Sequence, residues 1–324
     1  MTRYPTFDRS RIELAELAQR GHDLRAEDCL PLAPPPSPYT GPGWDDLIAR
    51  IVAARRADRP VIVLMGAHAI KLGLSPFLVD LIQRKIITHL GTYGAGLIHD
   101  FELAAYGGTS EDVARWIRVG QFGLWRQTSL LNEIAIEAAA KDEGLGEAIG
   151  RVIEERELPN RRLSLAAAGW RSGVPVTCHV GIGCDITHSH PNCDGAAVGK
   201  SSYTDFLIFA RAVEDLEGGV FLNIGTSIMG PEVYLKALSM ARNVACRQKR
   251  PLCHFTTAVF DLLSLPADWS AGPPSKSQPL YYYRPWKTIL VRTVADGGVS
   301  HYFCGNHRQT IPTLWSRVTA ELGW

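Results

Sequence analysis

The sequence predicts an α/β protein with a doubly wound, mostly parallel sheet that carries helices on both faces. Short runs of apolar residues recur along the chain, amphipathic helical segments separate them, and glycine or polar residues directly follow most of them. Strands that are apolar throughout are typical of parallel sheets buried on both sides. Ligands bind such sheets at the carboxyl ends of the strands, so the turns after the strands are the expected place of function.

The elements follow one another in a regular order. After a helical stretch near residues 10–19 and the proline-rich connector LPLAPPPSPYTGPG, an amphipathic helix is predicted over 44–56. The strand PVIVLMG, a helix over 75–85 and the strand ITHLGTYG come next, and helical patterns continue to about residue 157. The second half predicts strands at VPVTCHVGIG, GVFLNIG and LCHFTTAVF, late strands at KTILVRTV and HYFCG, and the closing helix TIPTLWSRVTAEL.

The chain is therefore expected to form an N-terminal arm, residues 1–43, and a single dinucleotide-binding domain, residues 44–324. Prolines favour an extended path, so the arm is expected to wrap the domain or a partner subunit. A net charge of +1 gives no basic excess for nucleic acid. No secretory signal and no apolar run of bilayer length is evident, and the seven cysteines are an odd number. We expect a cytoplasmic protein with reduced thiols and no membrane contact.

The densest group of chemically active residues follows the strand VPVTCHVGIG. Three histidines, two cysteines and two aspartates fall between His179 and Asp194. A metal site is one interpretation, but the segment has no C-x-x-C and no H-x-x-x-H, so it fits no standard zinc pattern. A loop whose histidines bond the backbone is another. We favour a pocket in which Asp185 and Asp194 bind a cationic group while His188 or His190 moves protons.

Several motifs in this order resemble deoxyhypusine synthase and its bacterial relatives. They are T-x-G-A-G-x-x-H-D at 92–100, T-S-E-D-V at 109–113, D-G-x-x-x-G at 194–199, A-R-N at 241–243 and T-A-x-F-D at 257–261. The resemblance extends from about residue 60 to 261. It implies a doubly wound parallel fold, NAD as cofactor, and a homotetramer with sites at subunit interfaces. It also implies a reaction that oxidises spermidine beside a nitrogen and passes the aminobutyl group through a lysine to an acceptor amine.

The resemblance assigns roles to individual residues. The loops that contact NAD in the family match Gly66, Ala67, His68, Thr92, Gly94, Gly96, Thr226, Ser227, Thr257, Ala258 and Asp261. Small residues in such turns let backbone N–H groups approach a pyrophosphate, although close chain packing is the alternative explanation for each turn. The first strand-to-helix turn lacks G-x-G-x-x-G, so an ordinary Rossmann dehydrogenase is disfavoured.

The substrate side of the site is assigned partly by resemblance and partly by position after a strand. Asp194 matches the acid that grips the polyamine, and Asp185, His99, Asp100 and Trp286 are further candidates for substrate contact. The W-G-K segment of the family is absent. Lys287 follows Trp286 and either supplies the catalytic lysine from a displaced position or is a surface lysine at a strand start. Pro231 and Glu232 stand where the family has a histidine, so His188 and His190 are the candidates for proton transfer.

The leading hypothesis is an NAD-dependent transferase or oxidoreductase that acts on a polyamine or another small amine. In this chemistry a hydride leaves the carbon beside the nitrogen, a base holds the amine neutral and an acid orients the remaining cation. A metal-dependent enzyme built on the His179–Asp194 cluster and a non-catalytic nucleotide-binding module are the alternatives.

Overall fold

The computed structural model describes residues 2–324 and consists mainly of a parallel sheet between two layers of helices. The strands of the described chain are β1 (Leu24–Arg25), β2 (Val61–Met65), β3 (His89–Tyr93), β4 (Gly108–Thr109), β5 (Val176–His179), β6 (Val220–Ile224), β7 (Thr256–Asp261) and β8 (Val299–Cys304). Its α-helices are α1 (Trp44–Arg56), α2 (His68–Lys71), α3 (Ser75–Gln83), α4 (Gly94–Tyr106), α5 (Val113–Arg118), α6 (Leu130–Ala140), α7 (Leu145–Glu155), α8 (Leu165–Ser172), α9 (Gly195–Glu214), α10 (Met229–Arg247) and α11 (His307–Glu321).

The main sheet has the strand order β5-β3-β2-β6-β7-β8, and every neighbouring pair is parallel. The chain starts in the middle at β2, moves outward to β3 and β5, returns to β6 and then moves outward to β7 and β8. The strand order therefore reverses between β2 and β6, which is the switch point where doubly wound sheets bind ligands. The α/β doubly wound class predicted from the sequence is confirmed.

Burial on both faces explains why the strands are apolar throughout. In β2, Val61, Val63 and Met65 face the core formed with α1, α3, α4, α6–α8 and α11, while Ile62 and Leu64 face the core formed with α9 and α10. Successive side chains of a strand point to opposite faces, so a strand between two helical layers needs apolar residues at every position. The same constraint holds for β6, whose five residues are all buried.

The free edge of β5 is sealed by polar side chains of α9. The Cys178 N–H donates to Asp205 Oδ2 over 2.8 Å, and the Val180 N–H donates to Ser202 Oγ over 2.9 Å. Asp205 Oδ2 also accepts the Gly146 N–H at the start of α7. These bonds satisfy backbone groups that would otherwise leave the edge strand open to pairing. The carboxyl group of Asp205 is completely buried as a result.

Two predicted elements differ from the structure. The stretch near residues 10–19 forms two 3-10 turns, Arg9–Arg11 and Leu17–Gln19, rather than one helix. The segment KTILVRTV was predicted as a strand, but Trp286–Arg292 is a short π-helical segment that packs on β7 and β8. A short apolar run does not by itself distinguish a buried strand from a buried helix. Here β8 pairs with β7, so the segment Trp286–Arg292 packs on the face of the sheet instead of adding a strand to it.

The N-terminal arm lies along the domain. Strand β1 pairs with β4, the Leu30 N–H donates to the Gly73 carbonyl, and the Tyr39 N–H donates to Thr313 Oγ1 over 2.8 Å. These bonds tie the arm to both ends of the domain sequence. None of the helices between residues 2 and 324 combines the length and the hydropathy that a membrane crossing requires.

The buried carboxyl of Asp205 makes the stability of the fold depend on pH. Burial raises its pKa from 3.8 to about 8, so between these values the folded chain holds a proton that the unfolded chain has lost. The free energy of unfolding should therefore fall as pH rises through this window. Asp205→Asn keeps an oxygen acceptor and removes the titration, so its stability should be flatter with pH.

Urea unfolding at several pH values between 5 and 9 measures this effect. Asp58→Asn is the matched control, because the side chain of Asp58 is 99% exposed. Equal pH slopes for the wild type and Asp205→Asn would contradict a titrating buried carboxyl at this position.

Candidate active site

The turns singled out in the sequence come together at one edge of the sheet. Gly66 follows β2, Gly94 follows β3, Thr226 lies just after β6, and Asp261 ends β7. These strands are neighbours and run parallel, so their carboxyl ends share the same edge. The glycine-containing turns predicted from the sequence therefore lie next to one another in the fold.

Two glycines meet at the switch point. The Gly66 N–H donates to the Ile224 carbonyl, and a Cβ on Gly66 would overlap the carbonyl oxygen of Gly225. Gly225 has a φ of +59°, in the left-handed region that favours glycine. The turn after β2 approaches the turn after β6 this closely because Gly66 carries no side chain at the contact.

A cavity of about 250 Å³ lies beside this edge, at the start of α4, and we call it the acid pocket. Its titratable or thiol-bearing lining residues come from the arm, α2, α4, the segment after β4 and the loop after β5: Arg20, Lys71, His99, Glu102, Glu111, Cys184 and Asp185. Apolar residues complete the wall, namely Ile98, Val113, Phe122 and Ile186. Three carboxyl groups and two cationic side chains thus surround one cavity.

A buried ion pair joins the arm to α4 at the base of the acid pocket. The two guanidinium N–H groups of Arg20 donate to the two oxygens of Glu102 over 3.1 and 2.8 Å. Both side chains are 1% exposed. Glu102 also accepts the hydroxyls of Thr109 and Thr128, each over 2.7 Å. Every lone-pair direction of this carboxylate is therefore used, as a buried charge requires.

Glu111 lines the same cavity, and one of its carboxyl oxygens has no hydrogen-bond partner in the described chain. Its Oε1 accepts the Trp125 indole N–H over 3.0 Å and the Gly123 N–H over 3.2 Å. Its Oε2 is buried and has no hydrogen-bond partner in the described chain. Burial raises the pKa of this carboxyl group above its usual value. A ligand that brings an N–H donor would satisfy the free oxygen.

Asp185 takes the position at the start of α4 where an anion would otherwise sit. A Cβ on Gly94 would overlap its Oδ2, so Gly94 lets the carboxyl group approach the first turn of the helix. Burial raises the pKa of Asp185 to about 6, although a hydrogen bond from the Ala95 N–H acts in the opposite direction. The positive end of a helix favours a negative group at this place.

His188 faces Asp185 with a defined tautomer. Its Nδ1 accepts the Gly183 and Asp185 N–H groups over 3.1 and 3.2 Å, so the ring proton of the neutral form lies on Nε2. That nitrogen is 3.9 Å from Asp185 Oδ2. Burial lowers the pKa of His188, which keeps the ring neutral at ordinary pH. Asp185 and His188 therefore lie close together, while their predicted roles in binding a cation and in proton transfer stay predictions.

His99 carries the opposite tautomer at the acid pocket. Its Nδ1 lies 2.7 Å from Thr109 Oγ1, which donates its only proton to Glu102. The hydroxyl therefore accepts from His99, and Nδ1 carries the ring proton. Burial lowers the pKa of His99 to about 4. Its Nε2 keeps a lone pair and has no protein partner in the described chain.

Three predicted site residues are used for structure in this chain. His190 is buried, its Nε2 lies 2.7 Å from the Gly123 carbonyl oxygen, and burial lowers its pKa. Asp100 is buried and accepts the Ser164 hydroxyl and two backbone N–H groups at the start of α8. Asp194 is the exposed N-cap of α9, where its Oδ1 accepts two N–H groups. Their assignments to catalysis or substrate stay predictions, and none of the three lines the acid pocket.

The residues assigned to the cofactor divide into two groups. The first group lies at the carboxyl ends of the sheet strands and consists of Gly66, Ala67, His68, Gly94, Thr226, Ser227 and Asp261. The other four assigned residues are internal. Thr92 Oγ1 donates to the Met65 carbonyl, and a Cβ on Gly96 would overlap the Thr92 hydroxyl. Thr257 Oγ1 donates to the Ile289 carbonyl, and Ala258 lies in the core. Thr257 and Ala258 fall early in β7, so their burial disfavours a cofactor contact.

Lys287 and Trp286 lie on the other side of the sheet from α4. The Trp286 indole N–H donates to the Trp269 carbonyl, and Lys287 Nζ lies 3.7 Å from the ring centroid of Tyr281. Lys287 is only 4% exposed, so it is not the surface lysine that one reading of the sequence expected. Neither residue lines the acid pocket. The catalytic assignment of Lys287 stays a prediction.

The metal alternative receives no geometric support at the His179–Asp194 segment. Among the described residues, the group of three metal-type side chains whose ligand atoms lie within 4.8 Å of one another is Glu217, Cys253 and His254. These residues lie near the amino end of β7, away from the acid pocket. Their contacts are already explained without an ion, because Glu217 bonds the His254 ring and accepts two backbone N–H groups.

An apolar groove of about 290 Å³ lies on the other side of the loop that follows β5. Val180 and Ile182 of this loop line the groove, whereas Cys184 and Asp185 line the acid pocket. Tyr203 of α9 and Met229 of α10 form further parts of its wall. A narrow cavity of about 10 Å³ has Met229 in its wall, as the groove does, and also Thr226 of the turn after β6.

Sequence reasoning missed Arg20, Lys71, Glu111 and Cys184 as members of one cavity. Arg20 lies in the arm, far along the chain from its partner Glu102, and Glu111 was visible only as part of a helix N-terminus. No sequence signal marks these charged side chains as buried, although Arg20 is 5% exposed and Glu111 is 7% exposed in the structure. Burial of this kind depends on the tertiary fold and leaves no local pattern.

Comparisons with known proteins give only distant likenesses. No protein-family model and no curated protein matches the chain. Among solved structures, a conserved putative LOR/SDH protein from Methanococcus maripaludis is 15% identical with a TM-score of 0.49, over 90% of this chain and 74% of that one. A putative deoxyhypusine synthase from Entamoeba histolytica is 9% identical with a TM-score of 0.44, over 84% and 87%.

AgrE in its ternary complex with ornithine and NAD+ is 14% identical with a TM-score of 0.46 and is matched over 86% of this chain. The chain spans 32% of the length of that protein. Likenesses this distant leave the activity of the chain open.

The ion pair under the acid pocket should be essential for stability. Arg20→Met would leave Glu102 buried without its charged partner, which costs about 3–5 kcal/mol. Chemical unfolding measures the loss. The control is Arg126→Met, because Arg126 and its partner Glu16 are 61% and 51% exposed, and exposed pairs contribute at most about 1 kcal/mol. Similar losses in the two variants would contradict the importance of the buried pair.

Proposed function

We propose that the chain is a nicotinamide-dinucleotide-dependent enzyme that oxidises a small amine held in the acid pocket. The observation that carries this proposal is that one cavity is lined by Asp185 and by Glu111, whose Oε2 has no hydrogen-bond partner in the described chain. Carboxyl oxygens without donors fit a ligand rich in N–H donors, such as a primary or secondary ammonium group. The apolar wall of Val113 and Phe122 suits the carbon chain of such an amine.

The dinucleotide fits the switch point in part. The close approach of Gly66 and Gly225 leaves a turn without side chains, and His68 and Ser227 beside it are exposed. The groove lined by Tyr203 and Met229 offers an apolar wall for a flat ring. The start of α4 does not fit a phosphate, because the carboxyl group of Asp185 occupies it. The residues that would hold the dinucleotide are therefore the turns after β2 and β6 together with the groove.

Different residues of the acid pocket would have different roles in amine oxidation. When bound, the oxidised dinucleotide supplies the hydride acceptor for the carbon beside the amine nitrogen. Glu111 and Asp185 orient the ammonium group by accepting its N–H bonds. The amine must lose one proton before the hydride leaves, and the products are then an iminium ion and the reduced dinucleotide. The wall formed by Val113, Phe122 and Ile186 limits access of water to the iminium ion.

Aminoalkyl transfer, as the family resemblance implies, is a second candidate. It needs a lysine amine that attacks the iminium carbon and expels the other amine of the substrate. Lys71 lines the acid pocket, whereas Lys287 is buried against Tyr281 and lies outside it. The geometry therefore favours Lys71 as the acceptor if this protein performs the transfer.

Binding experiments test the amine and the dinucleotide separately. Calorimetry with NAD+ and with spermidine should show binding of both, and a mixture should gain NADH absorbance. Glu111→Gln keeps one oxygen that can accept the Trp125 N–H, but it removes the negative charge and replaces the other oxygen by an NH2 group. Spermidine binding should therefore weaken by about 10- to 100-fold. Glu133→Gln, an exposed acid on α6, is the control.

The results can contradict the proposal in two ways. Absence of NAD+ binding would end the dinucleotide assignment. Loss of spermidine binding in Asp194→Asn together with retention in Glu111→Gln would move the amine site to the start of α9, as the family resemblance implies. Asparagine is also a good N-cap, so Asp194→Asn should fold normally.

The lysine assignment has its own test. After incubation with NAD+ and spermidine and borohydride reduction, peptide mass spectrometry should find an aminobutyl adduct on Lys71 if transfer occurs. Lys71→Arg should then abolish the adduct, while Lys287→Arg should retain it. An adduct on Lys287 alone would contradict the placement of the transfer site in the acid pocket.

A further inference from the structure

The acid pocket contains one histidine whose surroundings fix both the position of its proton and the direction of its lone pair. Glu102 starts a chain of hydrogen bonds: the carboxylate accepts the hydroxyl proton of Thr109, and Thr109 Oγ1 accepts the Nδ1–H of His99. The two bonds are both 2.7 Å long. The other histidine near the pocket, His188, carries its proton on Nε2 and so presents a donor.

The direction of this chain follows from the ion pair beneath it. Arg20 donates two N–H bonds to Glu102 and keeps the group a carboxylate, which can only accept hydrogen bonds. Thr109 has one hydroxyl proton, and Glu102 takes it. Thr109 can therefore only accept from His99, so the neutral ring must carry its proton on Nδ1. The lone pair on Nε2 is then fixed toward the side of the ring that Thr109 does not occupy.

We propose that His99 is the base that accepts a proton from the ligand in the acid pocket, and that Thr109 and Glu102 are positioning residues that hold it in the required tautomer. His99 lines the cavity, and no side chain of the described protein caps its Nε2. For an amine ligand, R–CH2–NH3+ gives one proton to Nε2 and becomes R–CH2–NH2, whose adjacent carbon can then release a hydride. The identity of the ligand as an amine rests on the proposed function, whereas the tautomer does not.

The charged groups around His99 shift the pKa of its ring in opposite directions. Lys71 of α2 and Arg20 of the arm oppose protonation of the ring, and Glu102 of its own helix favours it. Glu111 and Asp185 line the same cavity from the segment after β4 and the loop after β5. Burial outweighs the acid and lowers the pKa of His99 to about 4, so the ring is neutral throughout the physiological range and its Nε2 keeps the lone pair. A bound ammonium ion replaces water in the cavity and supplies the proton.

Nuclear magnetic resonance of the ¹⁵N-histidine-labelled full chain tests the tautomer directly. Long-range ¹H–¹⁵N spectra separate protonated from unprotonated ring nitrogens, and His99→Gln identifies the signals. We expect His99 to show a protonated Nδ1 and an unprotonated Nε2 from pH 5 to pH 8, with no titration in this range. Thr109→Val should release the ring to a mixture of tautomers, whereas Thr109→Ser should keep the wild-type pattern.

Chemical modification tests whether the lone pair faces the cavity. Diethyl pyrocarbonate acylates unprotonated imidazole nitrogens, so His99 should react at pH 5, where histidines with an ordinary pKa are mostly protonated. Peptide mass spectrometry should find modification of His99, and spermidine should slow it at least tenfold if the amine occupies the pocket.

The outcomes separate this inference from the proposed function. A protonated Nε2 in the wild type, or identical spectra for Thr109→Val and Thr109→Ser, would overturn the inference. If Thr109→Val does not fold, the wild-type and Thr109→Ser spectra still decide it. Modification of His99 at pH 5 without protection by spermidine would keep His99 as the base of the pocket and reject the amine as its ligand.

Discussion

The buried pair of Arg20 and Glu102 is the interaction on which the candidate site depends. It brings a residue of the N-terminal arm under α4, with both charged groups removed from solvent. Burial of two charges is unfavourable unless every polar group finds a partner, and here Thr109 and Thr128 complete the carboxylate. The arrangement also fixes the Thr109 hydroxyl, and through it the ring of His99. The arm is thus part of the pocket rather than a detachable extension.

The site lies where the topology requires it. The strand order reverses between β2 and β6, and the connections that follow these strands run to opposite faces of the sheet. Gly66 lets the turn after β2 contact the carbonyl oxygen of Gly225 in the turn after β6. The acid pocket and the apolar groove then lie on either side of the loop after β5. One loop therefore borders both cavities.

The local elements could be read from the sequence because each has a local physical signature. The helix over 44–56 was predicted with the bounds that α1 has, since its apolar residues recur at helical spacing. The buried strands were recognisable from their continuous apolar character. The structure of the segment at 286–292 was not recognisable, because a short apolar run is compatible with a strand or a helix. Only the pairing of β8 with β7 decides that this segment is not the next strand.

The role of each polar residue was much harder to predict from the sequence. His190, Asp100 and Asp194 are residue types that suit an active site, but in the fold they bond a carbonyl oxygen or cap a helix. His99 and Asp185 were predicted as substrate contacts and line one cavity, a placement that accords with that prediction while their function awaits experiment. The sequence alone determined the fold class and the edge of the sheet where polar turns gather, because hydrophobic periodicity and chain direction are local properties. The tertiary structure decided which side chains share a cavity and which nitrogen of His99 carries the proton, because burial and hydrogen-bond partners come from residues distant in the chain.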